Sequence, residues 1–95
     1  MFIVLLKFSE NKGQAKDHMP GHNAWIQQGF DENIFLLAGS LHPKAGGTII
    51  AHNTTLTDLQ TRINEDPFVQ ENIVNAEILE ISPSKTHERL QFLID

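Results

Sequence analysis

The sequence predicts an α+β fold of the ferredoxin-like type, βαββαβ, with a four-stranded antiparallel sheet. Three observations carry that expectation. Four short apolar runs alternate with two segments of helical periodicity, the connections are short and rich in Gly, Pro and Asn, and the second and third runs follow each other without a helix between them. With 95 residues, 40% of them apolar, and no cysteine, one domain over 1–95 is expected, with a small core and no disulfide to support it. Association with a second copy is the natural remedy.

The first run, Phe2-Ile3-Val4-Leu5-Leu6-Lys7-Phe8, is β-branched and aromatic and reads as a buried strand. Ser9 to Asp17 lacks periodicity and reads as a loop or ragged helix start. From Pro20 onward Trp25, Ile26 and Phe30 recur at helical spacing, with Pro placed where its missing N–H costs nothing. Asn33, which tolerates a left-handed backbone, closes that helix ahead of the second strand, Ile34 to Gly39.

Ser40 to Gly47 forms a loop with Pro43, Gly46 and Gly47, leading into a third strand, Thr48 to His52. Thr57 and Gln60 make a capping-box pattern, Leu59 and Ile63 mark the second helix, and Pro67 ends it, so Asp66 stands at its exit. Val74 to Ile81 is the fourth strand. Ser82-Pro83-Ser84 then breaks the chain, and Thr86 to Asp95 forms a tail in which Leu90 and Leu93 or Ile94 share one side of a short amphipathic helix.

In this order of elements both helices cover one sheet face. The near-continuous apolar character of the first two strands calls for a cover on the other face as well, and a second sheet supplies it. A homodimer through sheet faces, able to associate further, is therefore expected.

Charge and hydropathy narrow the function. A formal net charge of -5 with scattered Lys and Arg argues against nucleic-acid binding. Met1 to Phe8 is too short for a signal hydrophobic region, and no stretch approaches membrane-spanning length. With cysteine absent, the cytoplasm is the expected compartment. No phosphate-binding Gly loop is present, so no cofactor is expected.

Two polar residues stand out: His22, just after Pro20, and Asp66, just before Pro67. A histidine and a carboxylate brought together could move a proton. If the helix begins at Pro20, His22 lies in its first turn, where the dipole disfavours imidazolium while a carboxylate favours it. Taken alone, His22 is as well explained by capping or packing, and Asp66 by a turn. Ser40 is a substrate contact or a plain turn residue, with no nucleophile elbow around it, and the same choice applies to the backbone amides of Gly46 and Gly47. Trp25 and Phe68 are core or cleft wall. His18 and His22 have helical ligand spacing, yet Pro20 between them argues against a shared face and so against a metal site. His42, His52 and His87 read as solvated surface residues.

In their order, Pro20-Gly21-His22, the run ending in Ala38-Gly39, Gly47-Thr48-Ile49-Ile50 and Asp66-Pro67-Phe68 resemble the YciI-like, or YCII-domain, proteins over roughly residues 1–83. The resemblance implies a dimeric α+β barrel of ferredoxin-like subunits, with His22 and Asp66 as a catalytic pair in a cleft. Ser40, Trp25, Gly47 and Phe68 are then its substrate contacts. Some members of that family are similar in fold to muconolactone isomerase, and a relative dehydrochlorinates a chlorinated hydroxyquinol. The implied activity is lyase or isomerase chemistry by general acid/base catalysis on a small, cyclic or aromatic compound. The alternative is a non-catalytic dimeric module that holds a small ligand or a metal. Departures from the family pattern fall at Ser40, in place of Ala-Gly-Pro, and at Asn33 and Asn72, in place of Gly; the two Asn residues can fill the same backbone role.

Overall fold

Strand β1 (Phe2–Phe8) runs through the middle of the sheet, flanked by β3 (Gly46–Ala51) and β4 (Val74–Glu80), with β2 (Phe35–Leu41) at the edge beyond β3. All three pairings are antiparallel and the order is β2-β3-β1-β4, the ferredoxin-like arrangement. This computed structural model describes residues 1–94, so the last residue of the tail, Asp95, lies outside the described residues.

Alternation along β1 explains both faces. Phe2, Val4 and Leu6 point one way and are buried, in register with Ala51, Ile49 and Gly47 of β3. Ile3 and Leu5 point the other way and are half-buried. On the covered face lie α1 (Ala15–Asp31), α2 (Leu56–Ile63) and the single turn α3 (Pro67–Gln70). Trp25, Leu59, Ile63 and Phe68 from these helices complete the core with Phe35, Ile73 and Val74.

Helix α1 starts earlier than its apolar pattern suggests. A 3₁₀ turn at Lys12–Gln14 leads straight into Ala15, so Pro20 sits inside the helix. Its ring removes the hydrogen bond to the carbonyl of Lys16, at a point of the helix where both residues are exposed. Solvent-facing turns carry no apolar period, which is why the segment reads as loop. Thr55, not Thr57, caps α2, its hydroxyl accepting from the Asp58 N–H at 3.1 Å.

Asn33 and Asn72 do what a helix terminus needs. They adopt φ values of 60° and 56°. Behind each, the chain closes a pair of Schellman bonds: Ile34 N–H to Gly29 O and Asn33 N–H to Phe30 O, and Ile73 N–H to Phe68 O and Asn72 N–H to Val69 O. Short Asn side chains tolerate the left-handed region and so stand in for Gly.

The uncovered sheet face carries Ile3, Leu5, Leu37, Ile50 and Leu79, aligned by register. Leu37 is 47% and Leu79 41% exposed. The tail forms a 3₁₀ helix at Glu88–Leu93 that buries none of its residues, where an amphipathic helix is expected from sequence. Leu90 and Phe92 remain exposed above a groove of about 770 Å³ between tail and sheet. No helix among the described residues is long and apolar enough to cross a membrane.

Candidate functional site

Asp66 is positioned by two helix ends at once. Its N–H closes the exit of α2 on Ile63 O, and its extended backbone then starts α3, with Pro67 at the first helical position. The side chain caps α3: Oδ1 accepts from the Phe68 N–H at 3.0 Å. The same oxygen faces His22 Nδ1 at 2.8 Å. Asp66 is fully buried, and its second oxygen, Oδ2, has no hydrogen-bond partner.

An ionised Asp66 can only accept, so with the carboxylate charged the proton of this contact lies on His22 Nδ1 and Nε2 is the nitrogen without it. Packing holds the ring in that pose. Its plane lies on Phe68 with centroids 3.8 Å apart and 3° between planes, and Trp25 stands behind it at 6.0 Å. His22 lies well past the first turn of α1, so the dipole contribution expected for a helix start is not at work here. Its environment is set by Asp66 and the two aromatic rings.

His22 opens on a cavity of about 330 Å³ between α1 and the sheet. Met19, His22, Asn23 and Ile26 form the helix wall, at the i, i+3, i+4, i+7 spacing of one helical face. Leu6, Ala38, Ser40, Gly47 and Ile49 form the sheet wall, and Phe68 and Val74 close one end. Ser40 pairs with Gly47 across β2 and β3, which brings these two residues together opposite the helix.

The sequence-derived residues therefore separate into two groups. His22, Ser40, Gly47 and Phe68 share the cavity, and Asp66 stands behind His22. Trp25 is elsewhere: it lies in the core, its Nε1–H donating to Arg62 O at 2.9 Å and its ring edge-on to Phe35. Asn23 is a wall residue that the sequence reading missed. The helical spacing from Met19 to Ile26 contained the signal, but a polar residue on an apolar helix face reads as exposed surface until the opposing sheet is known.

His18 and His22 sit one helical turn apart on α1, since Pro20 does not begin the helix. Among the described residues no group of three or more His, Cys, Asp or Glu is placed to hold a metal ion.

Comparison with known proteins agrees with this fold and with the ordered motifs. The sequence pattern of the YCII-related domain matches residues 1–83. The chain belongs to the YCII-related domain family. A solved YCII-like structure of the same fold is 5-chloro-2-hydroxyhydroquinone dehydrochlorinase from Burkholderia phenoliruptrix AC1100, in complex with 2,5-dihydroxybenzoquinone. It superposes with a TM-score of 0.69 at 11% identity, covering 86% of this chain and 94% of the other. At that identity the likeness is one of fold. None of the curated proteins compared matches the chain.

Proposed function

We propose that the cavity is an acid/base active site in which His22 transfers a proton and Asp66 positions it, in an elimination or isomerisation of a small cyclic or aromatic compound. The observation that carries this reading is the 2.8 Å contact between Nδ1 and a fully buried carboxylate, on a histidine that lines the cavity.

In the elimination, Nε2 takes a proton from the substrate, the electron pair left behind forms the new double bond, and the leaving group departs with its own bonding pair. In the isomerisation, the same imidazolium returns the proton at another carbon. Either way a positive charge develops on His22 beside Asp66, and the pairing favours it. Ser40, Asn23 and the Gly47 backbone provide hydrogen-bonding partners for polar substituents, while Phe68, Ile49 and Leu6 contact the ring.

Size supports a single-ring substrate. A cavity of roughly 150 Å³ holds benzene, so about 330 Å³ accommodates one ring with substituents. The dehydrochlorinase with the same fold was solved in complex with a one-ring compound, 2,5-dihydroxybenzoquinone. Two such sites would stand in a homodimer formed through the uncovered sheet faces, where Leu37, Leu79 and Ile50 are the apolar contacts. The absence of cysteine suits a cytoplasmic enzyme.

Chloride release from 5-chloro-2-hydroxyhydroquinone and deuterium uptake by ring compounds in D₂O are the first assays. Turnover by the wild type and a loss of about 10²-fold or more in His22→Ala are expected. Turnover that His22→Ala leaves unchanged would sink the proposal.

A further inference from the structure

We propose that the mouth of the His22 cavity is an anion subsite, so that the ligand is a ring compound bearing a carboxylate or phosphate substituent. This rests on the reading that the ligand sits in the His22 cavity.

A second concavity of about 540 Å³ adjoins that cavity and shares Phe8, Ser40 and Gly46 with it. The two form one space with two chemistries. The inner wall carries no lysine, arginine or carboxylate side chain. The outer wall adds Lys12, Lys44 and His42, and again no carboxylate.

That concentration of positive charge runs against the composition, which has 12 acidic and 7 basic side chains. Of the other cations, Lys7 faces Glu77 at 3.9 Å and Arg62 faces Glu32 at 2.7 Å, whereas Lys16, Lys85 and Arg89, like the two lysines here, have no carboxylate within ion-pair distance among the described residues. What sets Lys12 and Lys44 apart is that they share one concavity.

Both ammonium groups come from anchored segments. Lys44 lies in the turn between β2 and β3, held by Ala45 N–H to Leu41 O and by Phe8 N–H to Ala45 O, each 3.0 Å. Lys12 Nζ stands 5.8 Å from the centre of the Phe8 ring, the ring shared by the two spaces. Between them Gly46 keeps the boundary bare. At its φ of +126° a Cβ would lie 2.0 Å from Leu6 O, so no side chain can stand there. A ring placed beside His22 can therefore extend a substituent past Gly46 toward the two lysines.

Exposed ammonium groups attract weakly and are screened by salt, so the expected signature is a modest, salt-sensitive preference for the anion. The test titrates the ¹⁵N-labelled full chain with 4-hydroxyphenylacetate, its uncharged analogue 4-hydroxyphenylacetamide, and phenyl phosphate. All three should shift the His22 and Ser40 amides. One or both anions should bind about threefold to tenfold tighter than the amide and also shift Lys44 and Gly46. Which anion is favoured distinguishes carboxylate from phosphate. The advantage should vanish in the K12Q/K44Q double variant and at about 0.5 M salt.

Equal affinity for the acids and the amide, or an advantage that survives the double variant, overturns the anion subsite and leaves the His22 site standing. If no probe shifts His22 or Ser40, both readings fail.

Discussion

Gly21 and Pro67 meet at the crossing of α1 and α3, where a Cβ on Gly21 would stand 3.2 Å from Pro67 Cγ. Each is the neighbour of a site residue, His22 on one side and Asp66 on the other. The close approach of the Gly21 backbone to the Pro67 ring sets the reach of the hydrogen bond between the side chains. Gly21→Ala gains up to about 1 kcal/mol of helix propensity, offset by the push against the Pro67 ring. Thermal stability should change little. Turnover should fall several-fold as the His22–Asp66 contact lengthens, and an unchanged rate would show that the spacing is not limiting.

Asp66 has two separable duties, as a cap and as a partner of His22. Asp66→Asn keeps an acceptor for the Phe68 N–H and places its amide near the site of Oδ2, which already lacks a partner. Its stability in urea should stay within about 1 kcal/mol of wild type, while turnover drops with the loss of the charge facing imidazolium. Asp66→Ala removes cap and partner together and should cost about 2 kcal/mol or more. Equal turnover in Asp66→Asn and wild type would confine Asp66 to capping.

Gly29 is required by packing rather than by its backbone angles. A Cβ there would lie 2.2 Å from the Phe35 ring, which is buried between Trp25, Phe30 and the sheet. Gly29→Ala should destabilise by about 1–3 kcal/mol despite its better helix propensity. In a domain of this size that amounts to a Tm roughly 5–20 °C lower by calorimetry.

Ser40 is exposed on the cavity wall, and its side chain makes no hydrogen bond among the described residues. Ser40→Ala should leave stability within about 0.5 kcal/mol. Its effect should appear as a raised KM with kcat largely kept, as expected for a substrate contact. Loss of kcat with unchanged KM would give Ser40 a part in the chemistry instead.

Leu79 lies on the uncovered sheet face, in register with Ile3 of β1. In a face-to-face homodimer, Leu79→Lys would bury two ammonium groups near the interface. Sedimentation should then show a monomer where the wild type is a dimer. A wild type that sediments as a monomer at every concentration removes the sheet-face dimer altogether.

Local patterns announced much of the fold, because they record burial. The near-continuous apolar run Phe2 to Phe8, helical recurrence at Trp25, Ile26 and Phe30, and Asn33 ahead of an apolar run each name an element through its contact with the core. Ala15 to Met19, facing mostly solvent, left no such record, so the true start of α1 was hidden. The separate turn α3 was hidden too, since Pro67 is equally compatible with ending one helix and beginning the next.

By itself the sequence determined the βαββαβ order, Asn33 as the residue that ends α1 in left-handed geometry, and, through its ordered motifs, His22 and Asp66 as the pair to watch. Only the tertiary structure decided that they meet at 2.8 Å, that Asp66 also caps α3, that Trp25 serves the core, and that Asn23 shares the cavity wall. The reason is physical: local propensity and periodicity act over a few residues. A contact between residues 44 positions apart depends on how two helices settle on a sheet, which here turns on small residues such as Gly21 and Gly29.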